Sequence, residues 1–177
     1  MRLRALLRSA LVILAIGGLS VLWGRYSPPA PAPELAPVVE RVDHIVIEKS
    51  TRRLTATADG APVFQADIAL GFAPSGDKQM EGDGKTPEGH FTINRRNPQS
   101  AFHLSLGLDY PRPEDIIRAK AQGVDPGGDI FIHGQPNGLS VLTLPGDWTA
   151  GCIAVTNAEM EALWRLVPIG TPVEIRP

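Results

Sequence analysis

The sequence predicts a mainly β domain with a few short helices, and three features of the chain support that prediction. Apolar and polar residues alternate with period two from residue 42 onward. The turn Asp59-Gly60 separates two short runs rich in β-forming residues. Helical spacing is confined to two segments, residues 113–122 and 156–167. At 177 residues, 43% of them hydrophobic, the chain is long enough for one core and too short for two.

The first 25 residues predict an export signal that lies outside this domain. Three arginines within the first eight residues precede an apolar run from Ala10 to about Trp23. Such a run is shorter than the roughly 20 residues that span a bilayer and near the upper limit of a signal-peptide core, so a cleaved peptide and an uncleaved anchor both remain open. Because bulky residues occupy positions 21–23, where a cleavage site needs small ones, we favour the anchor, with its arginines in the cytoplasm.

Residues 26–41 are rich in proline and alanine and predict a stiff spacer between this segment and a domain at residues 42–177. Without residues 1–25, 13 of the 17 basic residues remain against 19 acidic ones, a formal charge of −6. A domain with this negative net charge lacks the basic surface that nucleic-acid binding requires, so we expect no nucleic-acid partner. We therefore expect a periplasmic domain that the N-terminal segment holds to the inner membrane.

The first elements of the domain are predicted to be strands. In VDHIVIEKS, Ile45 and Ile47 lie on one face of the predicted strand, and the other face carries Val42, His44, Val46 and Glu48. The run RRLTATADGAPVFQADIAL predicts a hairpin or meander around Asp59-Gly60. A glycine-rich loop then leads into a strand at residues 91–93.

That glycine-rich loop contains a weak likeness to a phosphate-binding loop. Gly84-Lys85-Thr86 matches the end of the motif, but Gln79 stands where the motif needs glycine and Pro87 stands where a helix should begin. We therefore expect no nucleotide site here.

The second half of the domain is predicted to alternate helices and strands. PRPEDIIRAKAQG predicts a helix over residues 113–122, because a proline opens it, acids fill its first turn and a glycine ends it. DIFIH predicts a strand that ends at His133. Thr156 and Glu159 form a capping-box pair at the start of a second, core-facing helix. TPVEIRP predicts the last strand.

Cys152 is the only cysteine of the chain, and two interpretations of it compete. An exported protein lies where disulfides form, yet a lone cysteine has no partner within the chain. Such a cysteine often packs as a small hydrophobe. The context of Cys152 favours catalysis, because it follows Gly151 in a loop before a capped helix, while His133 ends a strand. A cysteine nucleophile with a histidine base forms thioesters.

The backbone around Cys152 is expected to complete this site. Gly151 permits a tight turn in which the N–H groups of Ala150, Gly151 and Cys152 converge on a developing oxyanion. The following helix is expected to lower the pKa of the thiol from its usual value of about 8.5. The other three histidines lie in different elements, so no cysteine and histidine set has metal-ligand spacing, and we expect neither a metal nor another cofactor.

Two motifs of the chain resemble the signature of the L,D-transpeptidase (YkuD) family. One is HG followed after a spacer by TAGCIAVTN, similar to the family's HG and S-x-G-C, and the other is TPEGHF, similar to its T-P-x-G-x-F strand. The resemblance covers roughly residues 43–176 and is greatest to the YafK-type branch. It implies an L,D-transpeptidase (YkuD-like) β-sandwich or barrel-like fold with a few short helices.

The resemblance also implies roles for individual residues. Cys152 would be the nucleophile, His133 its base, and Gly134 the residue whose carbonyl orients His133. Thr149, in place of the usual serine, and Asn157 would contribute to substrate binding.

The chain departs from the family pattern two residues after the cysteine. Ala154 replaces the usual arginine, so a substrate carboxylate would need another cation. Lys78, Arg95 and Arg96 are the candidates for that charge.

The implied activity is an L,D-transpeptidase that acts on peptidoglycan stem peptides of the meso-diaminopimelate type through a thioester acyl-enzyme, in cell-wall biogenesis or remodelling. One alternative is hydrolysis at the same site, either as an L,D-carboxypeptidase or as an amidase that releases a wall-linked protein. Another is a wall-binding module with an inert cysteine.

Overall fold

The computed structural model describes residues 31–139 and 142–177, in which eight strands form one sheet in the order β3-β2-β1-β8-β4-β5-β6-β7. The strands are β1 (His44–Glu48), β2 (Arg53–Ala58), β3 (Ala61–Asp67), β4 (Gly89–Asn97), β5 (Ser105–Leu108), β6 (Phe131–His133), β7 (Ile153–Ala154) and β8 (Pro172–Arg176). The helices are α1 (Pro113–Ala121) and α2 (Asn157–Leu166), with short 3-10 turns at Val38–Glu40 and Asn137–Leu139.

The predicted hairpin is formed by β2 and β3. Asp59 and Gly60 connect the two strands, and both have positive φ, 51° and 75°. Positive φ at both central residues is typical of the two-residue turns whose twist matches that of the strands. On β1, Ile45 and Ile47 are fully buried, whereas His44, Val46 and Glu48 are half-buried. The predicted alternation with period two along this strand is therefore confirmed.

Strand β4 joins the two halves of the sheet. It pairs with β8 from Gly89 to Thr92 and with β5 from Ile93 onward, and the register shifts between Ile93 and Arg95. Such an irregularity bends a strand and increases its twist. The sheet therefore curls instead of staying flat.

The edge strand β7 meets the chain that follows β3. Ala69 and Ala154 exchange two backbone hydrogen bonds of 2.9 and 2.8 Å. This contact brings the two ends of the curled sheet together. The predicted mainly β, barrel-like fold with a few short helices is confirmed.

The core fills the inside of this curl. Helix α2 contributes the buried residues Met160, Leu163 and Trp164 to it, so the predicted core-facing helix is confirmed. Complete burial of one such aliphatic side chain stabilises a fold by about 1.5–3 kcal/mol.

The described part of the predicted spacer lies against α2. Trp164 Nε1 donates to the Pro33 carbonyl at 2.8 Å, and the Ala36 N–H donates to the Arg165 carbonyl at 2.8 Å. The compact unit accordingly begins at Ala32. The predicted export segment, residues 1–25, lies outside the described residues. Among residues 31–139 and 142–177, no helix has the length and apolar character needed to cross a membrane.

Candidate active site

Two neighbouring strands bring Cys152 and His133 together. His133 is the last residue of β6, and Cys152 directly precedes β7. The two strands pair in parallel, with Ile132 opposite Ile153 and His133 opposite Ala154. Cys152 and His133 therefore line one cavity of about 420 Å³ although 19 positions separate them in the sequence.

The His133 imidazole is buried and held in one orientation. Its Nδ1 lies 2.7 Å from the Gly134 carbonyl oxygen. Because a carbonyl only accepts, Nδ1 carries the proton and Nε2 is left as the proton acceptor. The ring packs against Phe102, with centroids 4.6 Å apart, and against Trp148, with centroids 5.7 Å apart.

The Cys152 sulfur is half-buried and contacts the backbone of a neighbouring loop. Its Sγ donates to the Asp129 carbonyl oxygen at 3.4 Å. Both side chains lie in the part of the chain that the structure describes, and no hydrogen bond joins Sγ to the His133 ring there. Catalytic hydrogen bonds are often long or misaligned before substrate binds, so this geometry is compatible with a nucleophile and base pair.

Burial shifts the pKa values of Cys152 and His133 in the directions that favour the uncharged form of each side chain. It raises the pKa of the Cys152 thiol, partly opposed by a backbone hydrogen bond with Phe131. It lowers the pKa of His133, partly opposed by the hydrogen bond with Gly134. The predicted lowering of the thiol pKa by the following helix is wrong for this conformation, because the thiol is desolvated and β7 separates it from α2.

The loop before Cys152 is held by the Thr149 hydroxyl. Thr149 Oγ1 accepts the Gly151 N–H at 3.1 Å and donates to the Cys152 carbonyl at 2.7 Å. Of the three N–H groups expected at the oxyanion, that of Gly151 is therefore occupied within the loop. The structure describes Ala150 and Cys152 and records no hydrogen bond from the amide of either.

Gly151 fits where no other residue would. Its φ is 131°, a region that L side chains rarely adopt, and an added Cβ would lie 2.6 Å from the Lys85 carbonyl oxygen. A Gly151→Ala change would therefore disturb the backbone as well as any oxyanion contact.

The same loop is tied to the segment that follows β3. Asp147 accepts the Leu70 N–H at 2.9 Å and forms an ion pair with Arg52 at 2.8 Å. Thr86, the first residue of the TPEGHF motif, accepts the Gly71 N–H at 3.1 Å through its hydroxyl. The TPEGHF motif thus contacts Gly71, which pairs with Thr149 in the loop that carries Cys152.

Asn157 lies behind the histidine and does not line the cavity. Its Oδ1 accepts the Gln135 N–H at 2.7 Å, directly after Gly134. A Cβ at Gly134 would lie 2.5 Å from the same oxygen. Asn157 therefore packs against the His133–Gly134 turn, and its expected contact with substrate stays a prediction. Thr149 lines the cavity, but its hydroxyl already has two partners.

Two of the three candidate cations are occupied away from the cavity. Lys78 is buried and binds Asp83 at 2.9 Å. Burial would raise the pKa of Asp83, but hydrogen bonds from the Gln79 amide and Lys78 hold it at about 2. The Arg96 guanidinium lies 4.0 Å from the centroid of the Trp164 ring and donates to the Trp164 carbonyl.

Arg95 is the candidate cation at the rim of the cavity. It pairs with Asp129 at 2.7 Å, and its guanidinium lies 4.4 Å from the centroid of the Phe131 ring. Asp129 and Phe131 both line the cavity. Ala154, at the position of the family's arginine, is buried and lines a different cavity.

Sequence reasoning missed several residues that line this cavity, among them Phe102, Asp129, Phe131 and Trp148. Trp148 belongs to the stretch DWTAGC, and an aromatic residue so close to the nucleophile is a signal that could have been used. Its indole Nε1 is buried and has no hydrogen-bond partner among the described residues. Phe102 and Asp129 reach the cavity only through the fold. Within the described residues, no group of three His, Cys, Asp or Glu side chains is arranged to hold a metal ion.

A buried histidine and a cysteine on adjacent strands of a curled sheet define a candidate site for cysteine-based acyl transfer. Residues 42–175 match the model of one protein family, the L,D-transpeptidase catalytic domain (YkuD). The chain belongs to that family.

Individual relatives agree with this assignment. YafK of Escherichia coli strain K12 is 28% identical over 94 residues, which is 52% of this chain and 32% of YafK. YqjB of Bacillus subtilis strain 168 is 27% identical over 140 residues, which is 75% of this chain and 70% of YqjB. Both are named as candidate L,D-transpeptidases.

Among solved structures, the chain is similar to the helical cell shape determining protein Pgp2 from Campylobacter jejuni. The TM-score is 0.60 at 29% identity, over 83% of this chain and 51% of Pgp2. The chain thus matches about a third of the length of YafK and about half of that of Pgp2.

Proposed function

We propose that this chain is a cysteine-dependent L,D-transpeptidase that acts on peptidoglycan stem peptides of the meso-diaminopimelate type through a thioester acyl-enzyme. The observation that carries the proposal is the shared cavity of Cys152 and His133, in which the Gly134 carbonyl orients the imidazole. Family membership supports the reaction class. The similarity to Pgp2, described as determining helical cell shape, supports a role in cell-wall remodelling.

In the first half of the reaction, His133 Nε2 takes the proton of the Cys152 thiol as the sulfur attacks the carbonyl of the third stem residue. The carbonyl oxygen becomes an oxyanion, for which the N–H groups of Ala150 and Cys152 are the open donors. Collapse of this intermediate breaks the carbon–nitrogen bond to the fourth residue. The imidazolium returns its proton to the departing amine, and a thioester remains on Cys152.

In the second half, an acceptor amine attacks the thioester and His133 takes the proton of that amine. The carbon–sulfur bond breaks, the thiol recovers its proton from the imidazolium, and a new amide has formed. Phe102, Phe131 and Trp148 line the cavity, so much of the reacting centre is shielded from water. Exclusion of water favours attack by an amine over hydrolysis.

Hydrolysis of the same thioester is the second candidate, either as an L,D-carboxypeptidase or as an amidase that releases a wall-linked protein. Ala154 favours it, because the residue two positions after the nucleophile offers no charge to a second stem peptide. A transferase needs binding energy for the acceptor as well as for the donor.

The site of action follows from the substrate. We propose that the domain works in the periplasm, attached to the inner membrane through residues 1–25. Family membership supports the location at the cell wall, and the attachment rests on the sequence of that segment.

The decisive experiment incubates the full chain with purified disaccharide tetrapeptide, with and without an acceptor amine, and determines protein and product masses. We expect an adduct of the disaccharide tripeptide on Cys152 and release of the fourth residue. Cys152→Ala should form no adduct, and His133→Asn should form it about a thousandfold more slowly or worse. His90→Asn, at an exposed position, is the control. Undiminished turnover by Cys152→Ala would refute the proposal, and the amine arm separates transfer from hydrolysis.

A further inference from the structure

Asp129 connects the nucleophile to a cation at the rim of the cavity. Its carbonyl oxygen accepts the Cys152 thiol at 3.4 Å, and its carboxylate accepts Arg95 Nη2 at 2.7 Å. Asp129 therefore contacts both the Cys152 sulfur and the Arg95 guanidinium. The guanidinium also lies 4.4 Å from the centroid of the ring of Phe131, which lines the cavity.

The ion pair between Arg95 and Asp129 is accessible to solvent. The Asp129 side chain is 86% exposed and that of Arg95 42%. Exposed ion pairs contribute little net stability, because water solvates both partners when they separate. A second carboxylate that enters the cavity can therefore replace Asp129 on Arg95, and a guanidinium offers that carboxylate two parallel N–H donors.

An acyl donor presents the same arrangement as Asp129. The carbonyl under attack is bonded to the nitrogen of the residue that leaves, and when that residue is the last of the peptide its α-carboxylate lies one residue away from the sulfur. We propose that Arg95 is the specificity-determining residue that binds the α-carboxylate of the leaving residue, and that Asp129 is an internal anion that occupies Arg95 until the substrate arrives. The identity of the peptide rests on the proposed function, and the recognition of a carboxylate beside Cys152 does not.

The other cations of the chain named above do not fit this role. Lys78 is held in a buried pair with Asp83, Arg96 binds the backbone at the end of α2, and Arg52 is paired with Asp147 on the side of a different cavity. The charges of Lys78 and, to a smaller extent, Arg95 lower the pKa of the Cys152 thiol against the larger effect of burial, so the ion pair with Asp129 and not the pKa distinguishes Arg95.

The test compares two alkylating reagents that form the same bond at Cys152. Iodoacetate and iodoacetamide both form a sulfur–carbon bond, release iodide and leave the thiol proton to the base or buffer, but only iodoacetate carries a carboxylate. The rate ratio of iodoacetate to iodoacetamide therefore reports carboxylate recognition and cancels changes in thiol reactivity. We expect Arg95→Gln to lower this ratio roughly tenfold, as expected for the loss of a charge-assisted hydrogen bond.

Two further variants make the result specific. Asp129→Asn removes the competing anion, so the ratio should rise at least about twofold. Arg53→Gln removes another exposed ion pair, with Asp67 at 3.2 Å, which lies away from the Cys152 cavity, and should leave the ratio unchanged. An unchanged ratio in Arg95→Gln would overturn the proposal. An unchanged or lowered ratio in Asp129→Asn would overturn the role of Asp129 as the internal anion.

A peptide experiment connects this recognition to the proposed function. The wild-type chain should be acylated roughly tenfold faster by the tetrapeptide donor than by the same donor with a C-terminal amide, and Arg95→Gln should lose that preference. An equal preference in both proteins would overturn the proposal. Absence of acylation of the wild type by either donor would refute the proposed function, and the alkylation ratio would still decide the role of Arg95.

Discussion

At the scale of single residues, burial controls the charge of both groups of the candidate pair. His133 has a lowered pKa and Cys152 a raised one, so both are uncharged near neutral pH. In the proposed mechanism, His133 therefore takes the thiol proton as the sulfur attacks. This arrangement differs from cysteine sites in which a nearby cation or a helix N-terminus keeps the thiolate permanently charged.

The lowered pKa of His133 makes stability depend on pH. The unfolded chain binds the proton with a pKa near 6.5 and the folded protein binds it less readily, so His133 contributes stability above about pH 6.5 that is lost as pH falls through the lowered folded value. The melting temperature should therefore decline below that pH, by about 2–4 °C for each kcal/mol lost. His133→Asn should remove this part of the decline.

Asp83 acts in a separate window: its folded pKa of about 2 lies below the ordinary value of 3.8, so its stabilisation is lost only between those two values. Parallel melting curves of the wild type and His133→Asn between pH 7.5 and 5.5 would contradict the prediction.

At the scale of elements, the site depends on where short elements begin and end. His133 is the last residue of β6, and β7 has only two residues before the chain turns into α2. The Thr156 side chain accepts the Glu159 N–H at 3.2 Å, and the Glu159 carboxylate accepts the Thr156 N–H at 2.8 Å. This capping box sets the start of α2 at Asn157, four residues after β7 begins.

Loss of the cap should have a measurable cost in stability. Thr156→Ala removes the acceptor of the Glu159 N–H and should lower the free energy of unfolding by about 1 kcal/mol. Thr156→Ser retains the hydroxyl and should stay close to the wild type. Urea unfolding monitored by circular dichroism measures both variants. Equal stability of the alanine and serine variants would show that the hydroxyl has no capping role.

At the scale of the folded unit from Ala32 to Pro177, the described residues of the curled sheet and of helix α2 surround a core, and the chain before the first strand packs against that helix. The segment that begins at Ala32 packs along α2. There, Trp164 Nε1 donates to the Pro33 carbonyl and the Ala36 N–H donates to the Arg165 carbonyl. A proline-rich segment can pack in this way because its backbone offers acceptors while proline itself needs no donor satisfied.

The contribution of this segment can be measured by truncation. A chain that begins at Ala32 should melt at a higher temperature than one that begins at Val42, because the shorter chain leaves Trp164 Nε1 without its acceptor and uncovers part of α2. Each such hydrogen bond contributes about 0.5–1.5 kcal/mol. Trp164→Phe in the longer chain should account for part of the difference. Equal melting temperatures for the two lengths would show that the segment does not belong to the folded unit.

Local patterns in the sequence were enough to predict most elements. The strand at His44–Glu48, the hairpin of β2 and β3, both helices and the last strand follow from a period, a turn or a cap, all of which lie within a few residues. Two strands were missed. All four residues of β5 are buried, so they show no alternation, and β7 has two residues and exists through its pairing with β6 and Ala69.

The candidate pair also follows from the sequence alone, because Cys152 is the single cysteine of the chain and the HG and TAGC motifs contain His133 and Cys152. Only the tertiary structure decided their surroundings: that the thiol contacts Asp129, that Phe102 and Trp148 enclose the imidazole, and that Arg95 is the cation at the rim. It also reversed the expected direction of the thiol pKa. Periods and caps depend on neighbours along the chain, whereas burial, desolvation and hydrogen-bond partners depend on residues that meet only when the sheet curls.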